Sequence, residues 1–320
     1  MTTPIIPTNI HFEKDSLGIG QAAEAVSKSI NKLLGTISSA IGIVYEPTRI
    51  KRLADAETYK IKALANAQIE AESLGNTELA TRIDEVSRMV VAKELRRQDN
   101  IAYIVNEAIK QIELKEQVSD EEVDPDWTTR FINIAQDISN EDMKNLWAQI
   151  LAGEVAKPRT YSLRTLDCLK NMTKDEATLF VKFASLALQS SYDFFVYRDY
   201  DLLSKYGITY PDIQRLVEIG LLNTGDITIR EISTTKFHLI YNQKIAFISH
   251  NNKKPYILPV YDFTSSGIQI LSLVSKEYND QYFVDVLTEI KKKVDSVKYC
   301  KILSQSGNTI KCDTKNGIEL

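Results

Sequence analysis

The stretch that decides the fold runs from Trp127 to Leu188 and reads WTTRFINIAQDISNEDMKNLWAQILAGEVAKPRTYSLRTLDCLKNMTKDEATLFVKFASLAL. Its apolar residues recur every three or four positions, which is typical of helices that bury one face. We predict three closely packed helices. The first opens at Asp126-Trp127 and includes Ile138. The second follows a capping box at Ser139 and Asp142 and ends at Gly153 and Pro158. The third follows a capping box at Thr173 and Glu176 and extends to Leu188.

Both tryptophans of the chain lie in this stretch, and we interpret them as core anchors because large aromatic side chains bury the most apolar area. The predicted core signature consists of Trp127, Phe131, Trp147, Leu151, Gly153 and Arg164. We interpret Glu154 and Arg164 as structural. For Arg164, satisfying helix-end carbonyls is favoured over binding a phosphate.

Several short motifs lie along the same stretch. They are Asp126-Trp127, Arg130-Phe131, Asp137 to Glu141, Leu146 to Glu154, Ser162 to Leu166, Glu176-Ala177 and Phe180. Together they resemble a bacterial family of unknown function that is similar in this region to the abortive-infection alpha proteins. The resemblance covers Trp127 to Leu188 well and continues more loosely to Tyr278. It implies a role in resistance to bacteriophage, with no catalytic residues established. A phage or host protein would then be the trigger.

Composition limits the classes of function. The 320 residues suffice for two or three domains, and the net charge of -4 argues against binding nucleic acid mainly through bulk charge. Three cysteines without CxxC spacing fit a reducing cytoplasm, and three scattered histidines make a histidine-rich metal site improbable. No phosphate loop, nucleophile elbow or zinc helix motif is present, so we expect neither an enzyme nor a bound cofactor.

The segment 1–46 carries an uncharged run from Leu33 to Tyr45 that is too short to span a bilayer, which needs roughly 20 apolar residues. The residues expected to make membrane or oligomer contacts are Leu33, Leu34, Ile37, Ile41 and Val44. Two interpretations stay open. The helix packs against the protein's own core or a sister subunit, or it is an amphipathic helix that lies on or enters a membrane. We expect a cytoplasmic protein that can be peripheral to the inner membrane.

The segment 47–118 is predicted to form two long helices, Thr48 to Leu74 and Thr77 to Glu116, separated by Gly75-Asn76. Their interleaved charges and apolar stripe are typical of a helical hairpin or stalk that self-associates into a homo-oligomer. The acidic connector Ser119 to Asp126 is explained by capping of the next helix more simply than by a metal site. The segment 119–190 is the predicted central helical bundle.

The segment 191–320 changes to β-rich sequence. We predict a helix over Asp212–Ile219, a strand at Ile227–Ile229, a hairpin of Phe237–Tyr241 and Lys244–Ile248, a strand at Ile257–Phe263, a helix over Asp280–Val294 and a strand at Lys298–Leu303. A short helix followed by a hairpin is typical of a winged helix. The predicted fold is therefore mainly α, with a smaller α+β, winged-helix-like C-terminal domain.

The best candidates for nucleic-acid or partner contact are Arg215, Lys253 and Lys254. They are few for a polyanion, so nucleic acid is the less favoured partner and a protein-interaction or sensing module is preferred. The leading hypothesis is a non-catalytic, oligomeric anti-phage protein that acts at the inner membrane through its N-terminal helices. The alternatives are a soluble DNA-binding regulator and an oligomeric scaffold.

Overall fold

The computed structural model describes residues 29–37, 63–113, 118–190, 193–223, 229–250, 255–306 and 309–320. The chain divides into two compact units, Met1–Thr160 and Tyr161–Leu320. We refer to them as the first and the second unit. The division falls inside the segment 119–190 that the sequence predicts to be one bundle. Ile41, Val44, Lys253 and Lys254, all predicted contact residues, lie outside the described residues.

The described part of the first unit is helical. Its elements are α1 (29–37), α2 (63–73), α3 (Thr77–Glu113), α4 (Pro125–Ala135) and α5 (Glu141–Ala156). The second half of α3 packs against α5 and α4, and it buries Ile104, Val105, Ala108 and Ile112 there. The predicted long second helix is confirmed over Thr77–Glu113, and its last three predicted residues lie outside the described residues.

The two central helices of the first unit meet through an aromatic cluster. The rings of Trp127 and Phe131 stack with centroids 5.1 Å apart, and Phe131 lies 5.3 Å from the ring of Trp147. Trp127 is nearly buried, and Phe131, Trp147 and Leu151 are fully buried. These four side chains therefore lie in the core, as expected of aromatic and aliphatic anchors.

The ends of α4 and α5 correct three details of the prediction. The first helix ends at Ala135, so Ile138 lies in the connection, and the cap of α5 is Asn140, whose side chain accepts from the Met143 N–H. Ser139 is therefore not the cap. Gly153 does not end the helix either, because α5 continues through it to Ala156; a glycine inside a helix costs only about 1 kcal/mol, which surrounding packing can offset.

The second unit combines helices with a sheet. Its helices are α6 (Leu163–Asn171), α7 (Lys174–Ala184), α8 (Tyr200–Lys205), α9 (Tyr210–Glu218), α10 (Ser265–Leu271) and α11 (Asp280–Lys291). The stretch 127–188 thus contains α6 in addition to the three predicted helices. The capping box of Thr173 and Glu176 is confirmed at α7, but that helix ends at Ala184, and Leu188 begins a strand.

In the described residues the strands are β1 (Leu188–Ser190), β2 (Asp193–Tyr197), β3 (Ile229–Ile232), β4 (Lys236–Tyr241), β5 (Lys244–Ser249), β6 (Tyr256–Asp262), β7 (Ser296–Ser306), β8 (Thr309–Cys312) and β9 (Ile318–Glu319). They form one antiparallel sheet in the order β3-β6-β2-β1-β4-β5-β7-β8, with β9 also paired to β7.

The sheet contains the predicted hairpin. The position of this hairpin differs from that of the wing in a winged-helix domain. β4 and β5 turn at Asn242, whose φ of 53° suits a tight hairpin turn. Their outer edges pair with β1 and β7, so the hairpin lies within the sheet. The α+β character of the C-terminal half and the helical character of the N-terminal half are confirmed, and the winged-helix arrangement is not.

Candidate functional site

The most informative site of the first unit is the place where α1 is held. The ammonium group of Lys32 donates hydrogen bonds to the carbonyl oxygens of Ser119, at 2.6 Å, and Val155, at 2.9 Å. Val155 lies in the last turn of α5, where carbonyl groups lack partners within the helix and the helix dipole favours a cation. One lysine of α1 therefore closes the end of α5 and fixes the start of the connector. We call this arrangement the Lys32 anchor.

Two opposite effects act on the pKa of Lys32 in the anchor. Burial lowers the pKa of Lys32, and the negative charges of Asp120, Glu121, Glu122 and Glu154 oppose that shift. Removing an ammonium group from water is costly, and nearby carboxylates offset that cost. The anchor therefore depends on the acidic connector.

The acidic connector thus has a role that capping does not explain. Within it, Asp124 does cap α4 by accepting from the Asp126 N–H, as the sequence predicts. Glu121 instead forms an ion pair with Arg159 at 2.8 Å, and the buried Glu154 accepts the Arg159 N–H at 2.6 Å. Glu154 is buried, and its negative charge also acts on Lys32; that its role is structural stays a prediction.

The apolar side of α1 is buried in the first unit. Leu33 is fully buried, Ile37 is 6% exposed and Leu34 is half-buried. Of the two interpretations of this segment, packing against the protein's own core describes Leu33 and Ile37 in this conformation. No helix among the described residues combines the length and the apolar content needed to cross a bilayer.

The sequence did not identify Lys32. Its two acceptors are 87 and 123 residues away along the chain, so no local pattern identifies them. The local signal that remains is one lysine beside an apolar run, together with an acidic connector that contains more carboxylates than a helix cap uses.

The second unit contains a polar cleft of about 430 Å³ between α8 and α11. Two pairs of its charged groups, Lys205 with Asp285 and Lys292 with Glu289, are engaged with one another. Asp285 accepts from Lys205, from the Tyr206 hydroxyl at 2.7 Å and from the Gln281 amide at 2.8 Å, and these contacts, the Lys205 hydrogen bond foremost, lower the pKa of Asp285. This network fixes α8 to α11, and we assign no ligand to the cleft.

The chemistry of reactive side chains is limited in the described residues. Burial raises the pKa of Cys168 and of Cys300 to about 11, so both thiols are protonated near neutral pH and poor nucleophiles. No cluster of three or more histidine, cysteine, aspartate or glutamate side chains in the described residues could hold a metal ion.

The remaining predicted residues are scattered. Arg164 is exposed at the second position of α6, where the helix presents N–H groups, so it does not meet the end carbonyls of that helix. Arg215 is exposed on α9. Of the core signature, the structure brings together Trp127, Phe131 and Trp147.

A family model described as "Protein of unknown function (DUF2806)" matches residues 85–287, which is more than half of the chain. No curated protein and no solved structure matches the chain. The expectation of a family of unknown function is thereby confirmed. The similarity to abortive-infection alpha proteins stays a prediction.

Proposed function

Since the chain belongs to the DUF2806 family of proteins of unknown function, we propose that it is a non-catalytic bacterial anti-phage protein that works by releasing its N-terminal helix. In the resting protein α1 is held by the Lys32 anchor. A phage or host protein produced or altered during infection is the trigger. The released helix then acts at the inner membrane.

The observation that carries the proposal is the way α1 is attached. The polar attachment that we describe is one lysine bound to two carbonyl oxygens, and the apolar attachment is Leu33 with Ile37. Hydrogen bonds to a charged group contribute about 1.5–3 kcal/mol. The Lys32 anchor thus contributes to holding α1, and a partner that competes for its contacts would favour release.

Release would expose the residues that suit a membrane interface. Leu33 and Ile37 are four residues apart and lie on one face of α1, with Lys32 beside them. An apolar face with a flanking cation is the pattern of helices that lie in the headgroup region of a bilayer. The same side chains thus serve the resting core and the active surface.

The first test uses Lys32→Ala. Loss of the Lys32 anchor should shift the equilibrium between docked and released α1 by at least tenfold towards the released form, since about 1.4 kcal/mol corresponds to a factor of ten. Cells that express this variant should grow slowly without phage, and the protein should move to the membrane fraction. Lys110→Ala is the matched control, because Lys110 is an exposed lysine of the same unit that pairs locally with Glu107.

The second test is phage plating on cells that carry the intact gene or Ile37→Asp. The intact gene should reduce plaques, and Ile37→Asp should abolish both protection and membrane association, because a carboxylate does not partition into a bilayer. If the intact gene protects against no phage of a broad panel, the anti-phage proposal is wrong. Protection by Ile37→Asp would refute the membrane step alone.

The same material separates the alternatives. A DNA-binding regulator should be retained on DNA at low salt and lose retention when Arg215, Lys253 and Lys254 are neutralised. A scaffold would oligomerise without membrane association or plaque reduction. Either result, together with no protection by the intact gene, would favour the corresponding alternative over the anti-phage proposal.

A further inference from the structure

A tight turn joins α2 to α3, and we refer to the two helices together as the hairpin. Gly75 adopts a φ of +69°, the Asn76 N–H bonds to the Ala71 carbonyl at 3.0 Å, and the Gly75 N–H bonds to that of Glu72 at 3.1 Å. These bonds close the end of α2 in a Schellman motif, and the Asn76 side chain then caps α3 by accepting from the Leu79 N–H. A connection of three residues, Leu74 to Asn76, is typical of a hairpin of two antiparallel helices.

The first half of α3 leaves large apolar side chains in water. The exposed fractions are 45% for Leu79, 47% for Val86 and 71% for Met89. These three residues share one side of the helix, next to the more covered side that carries Ala80 and Ser87. Val91 and Leu95 are exposed on a further side. A helix that is apolar on several sides is typical of a helix with more than one neighbour.

Charges along the hairpin are separated between its two ends. The tip, near Gly75, carries Glu70, Glu72, Glu78, Asp84 and Glu85 against one cation, Arg82. The base, further along α3, carries Arg88, Lys93, Arg96 and Arg97 against two carboxylates, Glu94 and Asp99. The negatively charged tip of one hairpin therefore complements the positively charged base of another, provided that the two hairpins run in opposite directions.

We propose that two copies of this chain pair through their hairpins in antiparallel orientation and form a four-helix bundle. The stripe of Leu79, Val86 and Met89 lies at the centre of the contact, and each acidic tip lies against the partner's basic base. The contact is isologous, because the same surface is used by both copies. The contact uses a surface distinct from α1, so the dimer and the proposed function are tested independently.

The charges explain why a second copy fits better than a membrane. Arg82 lies on the same side of α3 as the apolar stripe and pairs with Glu78 at 2.8 Å, and Arg88 pairs with Asp84 on another side of the helix. Inserting the stripe into lipid would bring these charges to the hydrocarbon boundary at a high cost. Between two hairpins these ion pairs are retained, and the charges set the orientation.

The first test measures the mass of the full-length protein by sedimentation equilibrium. The unaltered protein should be a dimer at micromolar concentration. Val86→Asp with Met89→Asp should raise the dimer dissociation constant at least tenfold, with unchanged helical content. Leu303→Asp is the matched control, since Leu303 is 65% exposed on β7, and the dimer should survive that change.

The second test exchanges the charges and does not disturb the apolar stripe. Glu78→Lys with Glu85→Lys makes the tip basic, and Lys93→Glu with Arg96→Glu makes the base acidic. Each double variant alone should dimerise about tenfold more weakly, because like charges then face each other. An equimolar mixture of the two should restore association, because each altered end meets an opposite charge.

The outcomes decide the proposal. A monomeric unaltered protein overturns it, and so does a dimer that tolerates Val86→Asp with Met89→Asp. A dimer that needs the apolar stripe but shows no rescue in the mixture overturns the antiparallel orientation. Loss in both charge variants and recovery in the mixture confirm the pairing as stated.

Discussion

At the scale of single residues, Tyr241 connects three parts of the second unit. Its hydroxyl donates to the Ser185 carbonyl at 2.8 Å and accepts the Asn279 N–H at 3.0 Å, and its ring stacks on Phe283 with centroids 5.5 Å apart. The side chain is 1% exposed, and burial raises its pKa to about 12, so it stays protonated and able to donate near neutral pH.

Tyr241→Phe should therefore destabilise the second unit by about 1–3 kcal/mol, the cost of leaving buried polar groups without partners. The ring packing is kept, so the loss reports the hydroxyl alone. Urea unfolding followed by near-ultraviolet circular dichroism measures it. Tyr278→Phe is the control, because Tyr278 is 40% exposed and contacts the same ring edge to face, with centroids 5.1 Å apart. An equal loss in both variants would contradict the assignment.

At the scale of elements, the same local pattern gave one correct and one wrong helix cap. Thr173 with Glu176 forms the predicted capping box, in which the Glu176 carboxylate accepts the Thr173 N–H at 2.8 Å. Ser139 with Asp142 does not, because Asn140 occupies the cap position and its side chain accepts the Met143 N–H at 3.0 Å. A second residue with good capping propensity thus shifts the helix start by one position.

Thr173→Ala should cost about 0.5–2 kcal/mol, because it removes the acceptor for the Glu176 N–H at the start of α7. Thr178→Ala is an informative control. Thr178 is exposed inside the same helix, where alanine has the higher helix propensity, so this change should be neutral or slightly stabilising. Opposite signs in thermal unfolding would confirm the cap, and equal losses would contradict it.

At the scale of the whole molecule, the sequence predicts elements with a strong period and misses contacts between distant parts of the chain. The long α3, the β4–β5 hairpin and the final helix were predictable because each has its own apolar period or turn. The strand β1 has three residues and no period, and its register with β2 and β4 depends on pairing across the chain. The partners of Lys32 were missed for the same reason.

The ion pair of Arg97 with Asp137 provides a test of the first unit as a whole, because both tryptophans lie there and their fluorescence reports that unit. Two hydrogen bonds, at 2.7 and 2.9 Å, join the guanidinium to the carboxylate. The hydrogen bond from Arg97 lowers the pKa of Asp137 below its ordinary value of 3.8.

A carboxyl group whose pKa is lowered by folding stabilises the protein above its unfolded pKa, and that contribution is lost as the pH falls through its folded pKa. The urea midpoint measured by tryptophan fluorescence should therefore fall as the pH drops below about 4. In Asp137→Asn the midpoint should be lower at pH 7 and its decline in acid shallower, whereas Asp142→Asn, a change at an exposed carboxylate, should keep the full decline. If Asp137→Asn also keeps the full decline, this ion pair is not a source of the acid sensitivity, and the bond from Arg97 contributes no more than an ordinary solvated surface pair.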